Sequence, residues 1–206
     1  MYYSKKGKRP TRVRETPNGP VVGYDIQPIR DLEKLGQIQE RLARNPRNEF
    51  MFLLGINSGL RISDLLWLTV RDVRRGEHMV TRELKTGKVR RFFINEHLRP
   101  VIDEYIKGMH HDDYLFASNR WPRLPITRHA AYRILREAGE SVGLHHVGTH
   151  SMRKTFGYHH YRMYKDVVTL MMIFNHREQS DTLDYIGWTQ ELVDESLKGF
   201  FLGRKM

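Results

Sequence analysis

Four residues in the last third of the chain have types and spacing that could serve a single reaction. They are His150, Arg153, His176 and Tyr185. His150 and Arg153 stand three positions apart, so on a helix they share a face. His176 and Tyr185 close an apolar run that can fold back toward that face. A tyrosine hydroxyl surrounded by cations can attack a phosphorus centre. Its unperturbed pKa is about 10, and nearby positive charge favours the phenolate. Taken singly, His-x-x-Arg describes many solvated helix faces, and a lone tyrosine is ordinarily core or surface filler. Two stretches upstream give the combination its meaning.

The first is Ser58-Gly59-Leu60-Arg61-Ile62-Ser63-Asp64. Gly59 breaks a helix that is apolar nearly all round, and Arg61 falls in the turn between two buried helices. A charge there needs a partner. The partner is either Asp64, as a structural ion pair, or an anion brought from outside. The second is Lys85-Thr86-Gly87-Lys88, a polar turn between two runs, 79–84 and 89–94, that read as the strands of a hairpin. Arg82, Arg90 and Arg91 make one face of that hairpin basic. Lys85 and Lys88 compete for any role the turn has.

Something must position these groups, and the rest of the chain supplies it. Its 206 residues suit one domain with an arm. The predicted organisation is a flexible basic arm over residues 1–25 and a folded domain over 26–206. In the arm, Lys5, Lys6, Lys8 and Arg9, with Arg12 and Arg14, either lie on phosphates or form a solubilising tail, because so polar a run buries too little to order itself. In the domain, helices are predicted over 29–43 and 47–57. A third is capped by Ser63 and carries Leu65, Leu66, Leu68 and Val70. Further helices cover 95–107 and 127–142, and others begin at Thr149, Asp166, Ser180 and Thr189. With the one hairpin, this is a mainly α chain with a small antiparallel sheet, an α+β class. Arg123 and Arg128, together with Arg133 and Arg136, are either phosphate contacts or a solvated charged face.

The net charge is +11. That favours a polyanionic partner, nucleic acid before an anionic membrane surface. There is no apolar run of transmembrane length and no signal-peptide pattern. The chain has no cysteine, which excludes disulfides and thiolate metal sites and fits a reducing compartment. His110, His111, Asp112 and Asp113 are adjacent, but sequence neighbours rarely converge on one ion, and no metal site is expected.

In order and interval, Gly59-Leu60-Arg61 with Asp64, the lysine turn at Lys85, His150-x-x-Arg153, His176 and Tyr185 together resemble the tyrosine recombinases, the phage integrase family. The resemblance runs from about Ile29 to the C-terminus. It implies the catalytic-domain fold of that family and a catalytic set of Arg61, Lys85, His150, Arg153, His176 and Tyr185. It also implies site-specific cleavage and rejoining of double-stranded DNA through a 3′-phosphotyrosine, with no metal or cofactor, in the cytoplasm. The implied assembly is a tetramer on DNA, linked through the apolar C-terminal segment Gly199-Phe200-Phe201-Leu202. Two departures stand out. The acid after Arg61 is commonly Glu in the family and is Asp64 here. Many members also carry an N-terminal helical domain that helps clamp the duplex, whereas about 28 residues precede the first helix here, so this is either a minimal member or a fragment. Two alternatives keep the scaffold and change the activity: a non-cleaving DNA-binding regulator, and a relaxing enzyme of the type IB topoisomerase kind.

Overall fold

Polar caps interrupt the apolar runs of this chain at close intervals, so it folds as many short helices. The computed structural model describes residues 12–16, 19–23, 26–82, 87 and 89–203. Helix α1 (Leu32–Leu42) starts where the Asp31 carboxylate accepts from the N–H groups of Glu33 and Lys34. The sequence places this start three residues earlier, at Ile29. The cap moves it, and residues 27–30 remain as a strap outside any helix or strand. Helix α2 (Pro46–Ser58) is capped by Asn45, with proline in the first turn, where a missing N–H is harmless. It ends at Gly59 in the left-handed conformation, φ +63°.

The helix expected from Ser63 onward is split. Helix α3 (Ile62–Leu66) has Arg61, not Ser63, at its N-cap, and α4 (Val70–Arg74) follows a break at Trp67. Thr69 causes the break: its N–H and hydroxyl both donate to the Asp72 carboxylate, at 2.8 Å each, which starts a new helix. The carbonyl of the intervening Leu68 accepts from Leu115 N–H at 2.9 Å.

Strands β1 (Arg12–Thr16) and β2 (Gly19–Gly23) pair antiparallel, from Arg12 opposite Gly23 to Thr16 opposite Gly19. Both strands fall inside the stretch expected to be the basic arm. A hairpin satisfies its own backbone hydrogen bonds and needs no core for that. Strands β3 (His78–Arg82) and β4 (Val89–Phe93) form the expected hairpin, from His78 opposite Phe93 to Arg82 opposite Val89. Helices α5 (Leu98–Tyr105), α6 (Arg128–Ser141), α7 (Thr149–Tyr164), α8 (Val167–Phe174), α9 (Gln179–Ile186) and α10 (Gln190–Leu197) complete the order. The N-caps of α7 and α9 are Gly148 and Glu178, each ahead of the expected Thr149 and Ser180. A mainly helical domain with small antiparallel hairpins is therefore what the chain forms. Among the described residues no helix is long and apolar enough to cross a membrane.

The apolar side chains collect in two cores. The larger is built from α1 to α6 and the first half of α7, with Phe50, Phe52, Leu54, Leu65 and Leu135 among its fully buried members. The smaller holds Tyr158, Leu170, Phe174 and Ile186, from α7, α8 and α9. Helix α7 belongs to both, and the motif residues cluster around it.

Candidate active site

Arg153 occupies the seam between the two cores. It lies on α7 and is 4% exposed. One terminal nitrogen donates to the carbonyl of Gly59, and the other to the carbonyl of Phe174 at 2.9 Å. Its guanidinium also lies over the Phe174 ring, 4.3 Å from the centroid. A planar fork of fixed donors suits this task, which a lysine could not perform. The Gly59 carbonyl can be offered because the residue is left-handed there. A side chain would be strained, and its Cβ would meet the Phe156 ring at 2.6 Å.

Arg61 approaches from the larger core. Its backbone is extended (φ −68°, ψ 143°) and its carbonyl accepts the N–H groups of Asp64 and Leu65, both at 2.9 Å. Asp64 beneath it is 3% exposed. Arg61 and Arg128, the first residue of α6, line one open cavity of about 650 Å³ together with Trp67 and Leu124.

Tyr185 comes from the smaller core, on α9. Its hydroxyl lies 3.3 Å from Nδ1 of His150. Its ring stands edge-on to Phe174, with centroids 5.5 Å apart, and to His176, at 5.4 Å. The Lys154 ammonium is 5.5 Å from the ring centroid. Burial raises the phenol pKa, while the charge and hydrogen bonding of Arg153 and the charge of Arg61 pull the other way. Two arginines from opposite cores thus act on one hydroxyl.

The two histidines are tuned alike. His150 keeps an edge to solvent, yet the protein around its ring lowers its pKa, and Lys154, Arg128, Arg153 and Arg61 lower it further. His176 is lowered first by burial and then by Arg153 and Arg61, against the opposing pull of Asp181. Both rings are therefore held toward the neutral form, able to accept a proton. His176 is oriented by Asn175, a left-handed helix end at φ 54°, and by Thr182, whose hydroxyl is 3.1 Å from His176 Nδ1.

A family model described as "Phage integrase family" matches residues 30–191. The chain belongs to the phage integrase family. It is 47% identical over 176 residues to "Probable integrase/recombinase YoeC" of Bacillus subtilis (strain 168), covering 85% of this chain and 97% of that protein. Tyrosine recombinase XerA of Saccharolobus solfataricus is 27% identical over 186 residues, covering 89% of this chain and 59% of XerA. Against the longer Xer relatives, then, the chain spans only between about half and two thirds of their length. Among solved structures, a lambda integrase tetramer bound to a Holliday junction shares the fold at a TM-score of 0.63 and 15% identity, over 80% of this chain and 49% of that one.

Of the six residues that carry the resemblance in the sequence, His150, Arg153 and Arg61 act on the Tyr185 hydroxyl, and His176 stands against the Tyr185 ring. Lys85 and its competitor Lys88 lie outside the described residues, as do the arm residues Lys5, Lys6, Lys8 and Arg9 and the side chains of Arg82 and Arg90. Arg128 joins the site through its effect on His150, while Arg123 is exposed in the loop before α6. Among the described residues no group of three or more His, Asp or Glu could hold a metal ion.

The sequence reading missed Lys154 and Thr182. Lys154 was legible, four positions after His150 on the same helix. Thr182 was legible too, one turn before Tyr185 on α9.

Proposed function

We propose that this chain cleaves and rejoins DNA strands at a specific site, with Tyr185 as the nucleophile. The observation that carries the reading is the convergence of His150, Arg153 and Arg61 on one phenol oxygen. In this reading His150 accepts the phenol proton. The Tyr185 oxygen then bonds to phosphorus, and the bond from phosphorus to the 5′ oxygen breaks. That oxygen takes a proton from Lys85 and leaves as a hydroxyl. The 3′-phosphotyrosine conserves the energy of the phosphodiester, so attack by a 5′ hydroxyl reverses the steps without ATP.

Negative charge gathers on the phosphoryl oxygens during both steps. Arg61 and Arg153 face it, with His176 as a further hydrogen-bonding partner. Removing one such preorganised donor lowers a rate by about 10²- to 10³-fold. Arg153 has five N–H donors, and its two carbonyl bonds fix the plane of the group before any phosphate arrives. With arginines supplying the charge, the reaction needs no metal.

The partner in this reading is double-stranded DNA in the cytoplasm. The net charge of +11 supports it, as does the DNA-bound state of the lambda integrase tetramer. Arg123, Arg128 and the basic hairpin residues Arg82, Lys88 and Arg90 would follow the backbone, with the basic arm of residues 1–25 adding Lys5, Lys6, Lys8 and Arg9. Phosphate contacts of this kind set register and not sequence. Four copies would assemble on two duplexes. The C-terminal segment would link them, since Phe200, Phe201 and Leu202 are exposed on their own chain, Leu202 by 84%.

The test is a nicked suicide duplex built from the DNA that flanks the gene. The wild-type chain is expected to form a covalent adduct that maps to Tyr185 by mass, and chelation with EDTA is expected to leave it unchanged. An adduct that persists in Tyr185→Phe would place the nucleophile elsewhere.

A further inference from the structure

We infer that Arg30 is a positioning residue for the nucleophile, holding the end of α9 to the helix that carries His150 and Arg153. The inference rests on the reading of Tyr185 as the nucleophile. It begins with the strap of residues 27–30, which leads into α1 but is bound along α7. The Gln27 N–H donates to the carbonyl of His146 at 3.1 Å. Ile29 is buried; its N–H donates to the Thr155 hydroxyl at 2.8 Å, and its carbonyl accepts from Nε2 of His159 at 3.0 Å. The strap is therefore fixed to α7 by side chains one turn apart, both C-terminal to Arg153.

Arg30 reaches from this fixed base to α9. Its guanidinium lies over the Tyr158 ring, 5.5 Å from the centroid, and Nη2 donates to the Gly187 carbonyl at 2.8 Å. Gly187 is the left-handed C-cap of α9, at φ +71° and two residues after Tyr185. A Cβ at Gly187 would stand 3.0 Å from that nitrogen and 3.4 Å from Pro28, so the helix end and the strap are in close contact. Chemistry and geometry agree here. A helix C-terminus carries unpaired carbonyls and partial negative charge, and a guanidinium complements both.

Helix α9 needs such a tether. It is eight residues long, and its inner face rests on the smaller core. Trp188 provides a second hold, edge-on to Tyr161 with centroids 4.7 Å apart and 4.4 Å from the Lys165 ammonium. Loss of Arg30 therefore loosens α9 without releasing it. The hydroxyl of Tyr185 is already 3.3 Å from His150, near the outer edge of a useful hydrogen bond. A small drift of α9 is enough to lose it.

The experiment compares the full-length wild-type chain with Arg30→Ala and Arg30→Lys in two assays. Hydrogen exchange in the free protein is expected to quicken for the amides of residues 183–188 in Arg30→Ala, with α2 unchanged. Single-turnover adduct formation at saturating protein is expected to fall by about tenfold to a hundredfold, the scale of an ångström of misplacement. DNA affinity is expected to stay within about threefold. Arg30→Lys, which keeps one charged donor, should recover part of both effects. Unchanged exchange in α9 overturns the inference. So does a loss of affinity that accounts for the whole loss of rate, because Arg30 would then be a phosphate contact. If the wild-type chain forms no adduct, the reading of Tyr185 fails, and the exchange comparison still decides whether Arg30 holds α9.

Discussion

Replacing Arg153 by alanine should damage the fold and the chemistry together, and the structure sets the size of the first effect. The substitution strips the carbonyls of Gly59 and Phe174 of their donor in a buried place. An unsatisfied buried group costs about 1–3 kcal/mol, so the pair costs about 2–6 kcal/mol. Loss of the cation from the Phe174 face, 4.3 Å away, adds about 1 kcal/mol. Two terms oppose these: a buried charge no longer has to be desolvated, and its repulsion with Arg61 is relieved. A net loss of about 3 kcal/mol follows, and for a chain of this size each kcal/mol lowers Tm by about 2–4 °C. Thermal unfolding of Arg153→Ala should therefore begin about 6–12 °C lower than for the wild type. On the suicide duplex, at a temperature where the variant is still folded, adduct formation should fall by about 10²-fold or more. DNA affinity should change far less. Arg153→Lys keeps the charge but cannot reach two carbonyls from one nitrogen, so it should recover less than half of the Tm loss. A variant with lost cleavage and an unchanged Tm would refute the clamp and leave Arg153 with a purely catalytic role.

The remaining predictions are narrower. Tyr185→Phe keeps the ring contacts and loses the hydroxyl's hydrogen bonds to His150 and Arg153, so it should cost about 1–3 kcal/mol while abolishing the adduct; a gel of the trapped complex beside a melting curve checks both. Gly59→Ala forces a left-handed alanine at about 1–2 kcal/mol and drives a Cβ into Phe156, so its Tm should fall, and cleavage with it, because the Gly59 carbonyl anchors Arg153. The pKa values of His150, His160 and His176 all lie below the ordinary value, in each case first because burial penalises the charged ring. The folded chain then binds fewer protons than the unfolded one. Stability from these groups is complete above about pH 6.5 and is lost as pH falls through the lowered values. A Tm that does not change between pH 7.5 and pH 5 would contradict this, and His160→Gln should make the slope shallower.

The sequence carried those parts of the molecule that depend on near neighbours. The stop at Gly59 and the hairpin around Gly87 follow from local residue types. The break at Trp67 was also legible, because Thr69-x-x-Asp72 is a capping box lying inside an apolar run. Treating Leu65, Leu66, Leu68 and Val70 as one helix gave the hydrophobic spacing more weight than the cap. The same error placed the start of α1 at Ile29, although Asp31 is the better cap. Long-range backbone contacts are different in kind. Arg153 binds the carbonyls of residues 94 and 21 positions away, and the strap at Ile29 binds residues 126 and 130 positions away. A carbonyl looks the same in every residue, so no pattern of side chains announces which one a guanidinium will find. The motif therefore marks Arg153 as a candidate cation for phosphate and gives no sign that it also joins the two cores.

That joint explains why the site is assembled as it is. Arg61 belongs to the larger core and Tyr185 to the smaller one, so the phenol and the guanidinium come together only when α8 and α9 dock on α7. Among the described residues the smaller core has four buried members, and a unit of that size can open at a free energy below that of global unfolding. The holds that close it are polar or aromatic: Arg153 to the Phe174 carbonyl, Trp188 against Tyr161 and Lys165, and Arg30 to the Gly187 carbonyl. Each is directional, so each fixes the position of α9 more sharply than apolar packing does, and Arg153 also stabilises the joint between the two cores. On the proposed reading, a nucleophile held in this way is placed accurately when α9 is docked on α7. On the proposed reading of Tyr185 as nucleophile, its aim is set in part by residues outside the proposed catalytic set, Arg30 and Trp188.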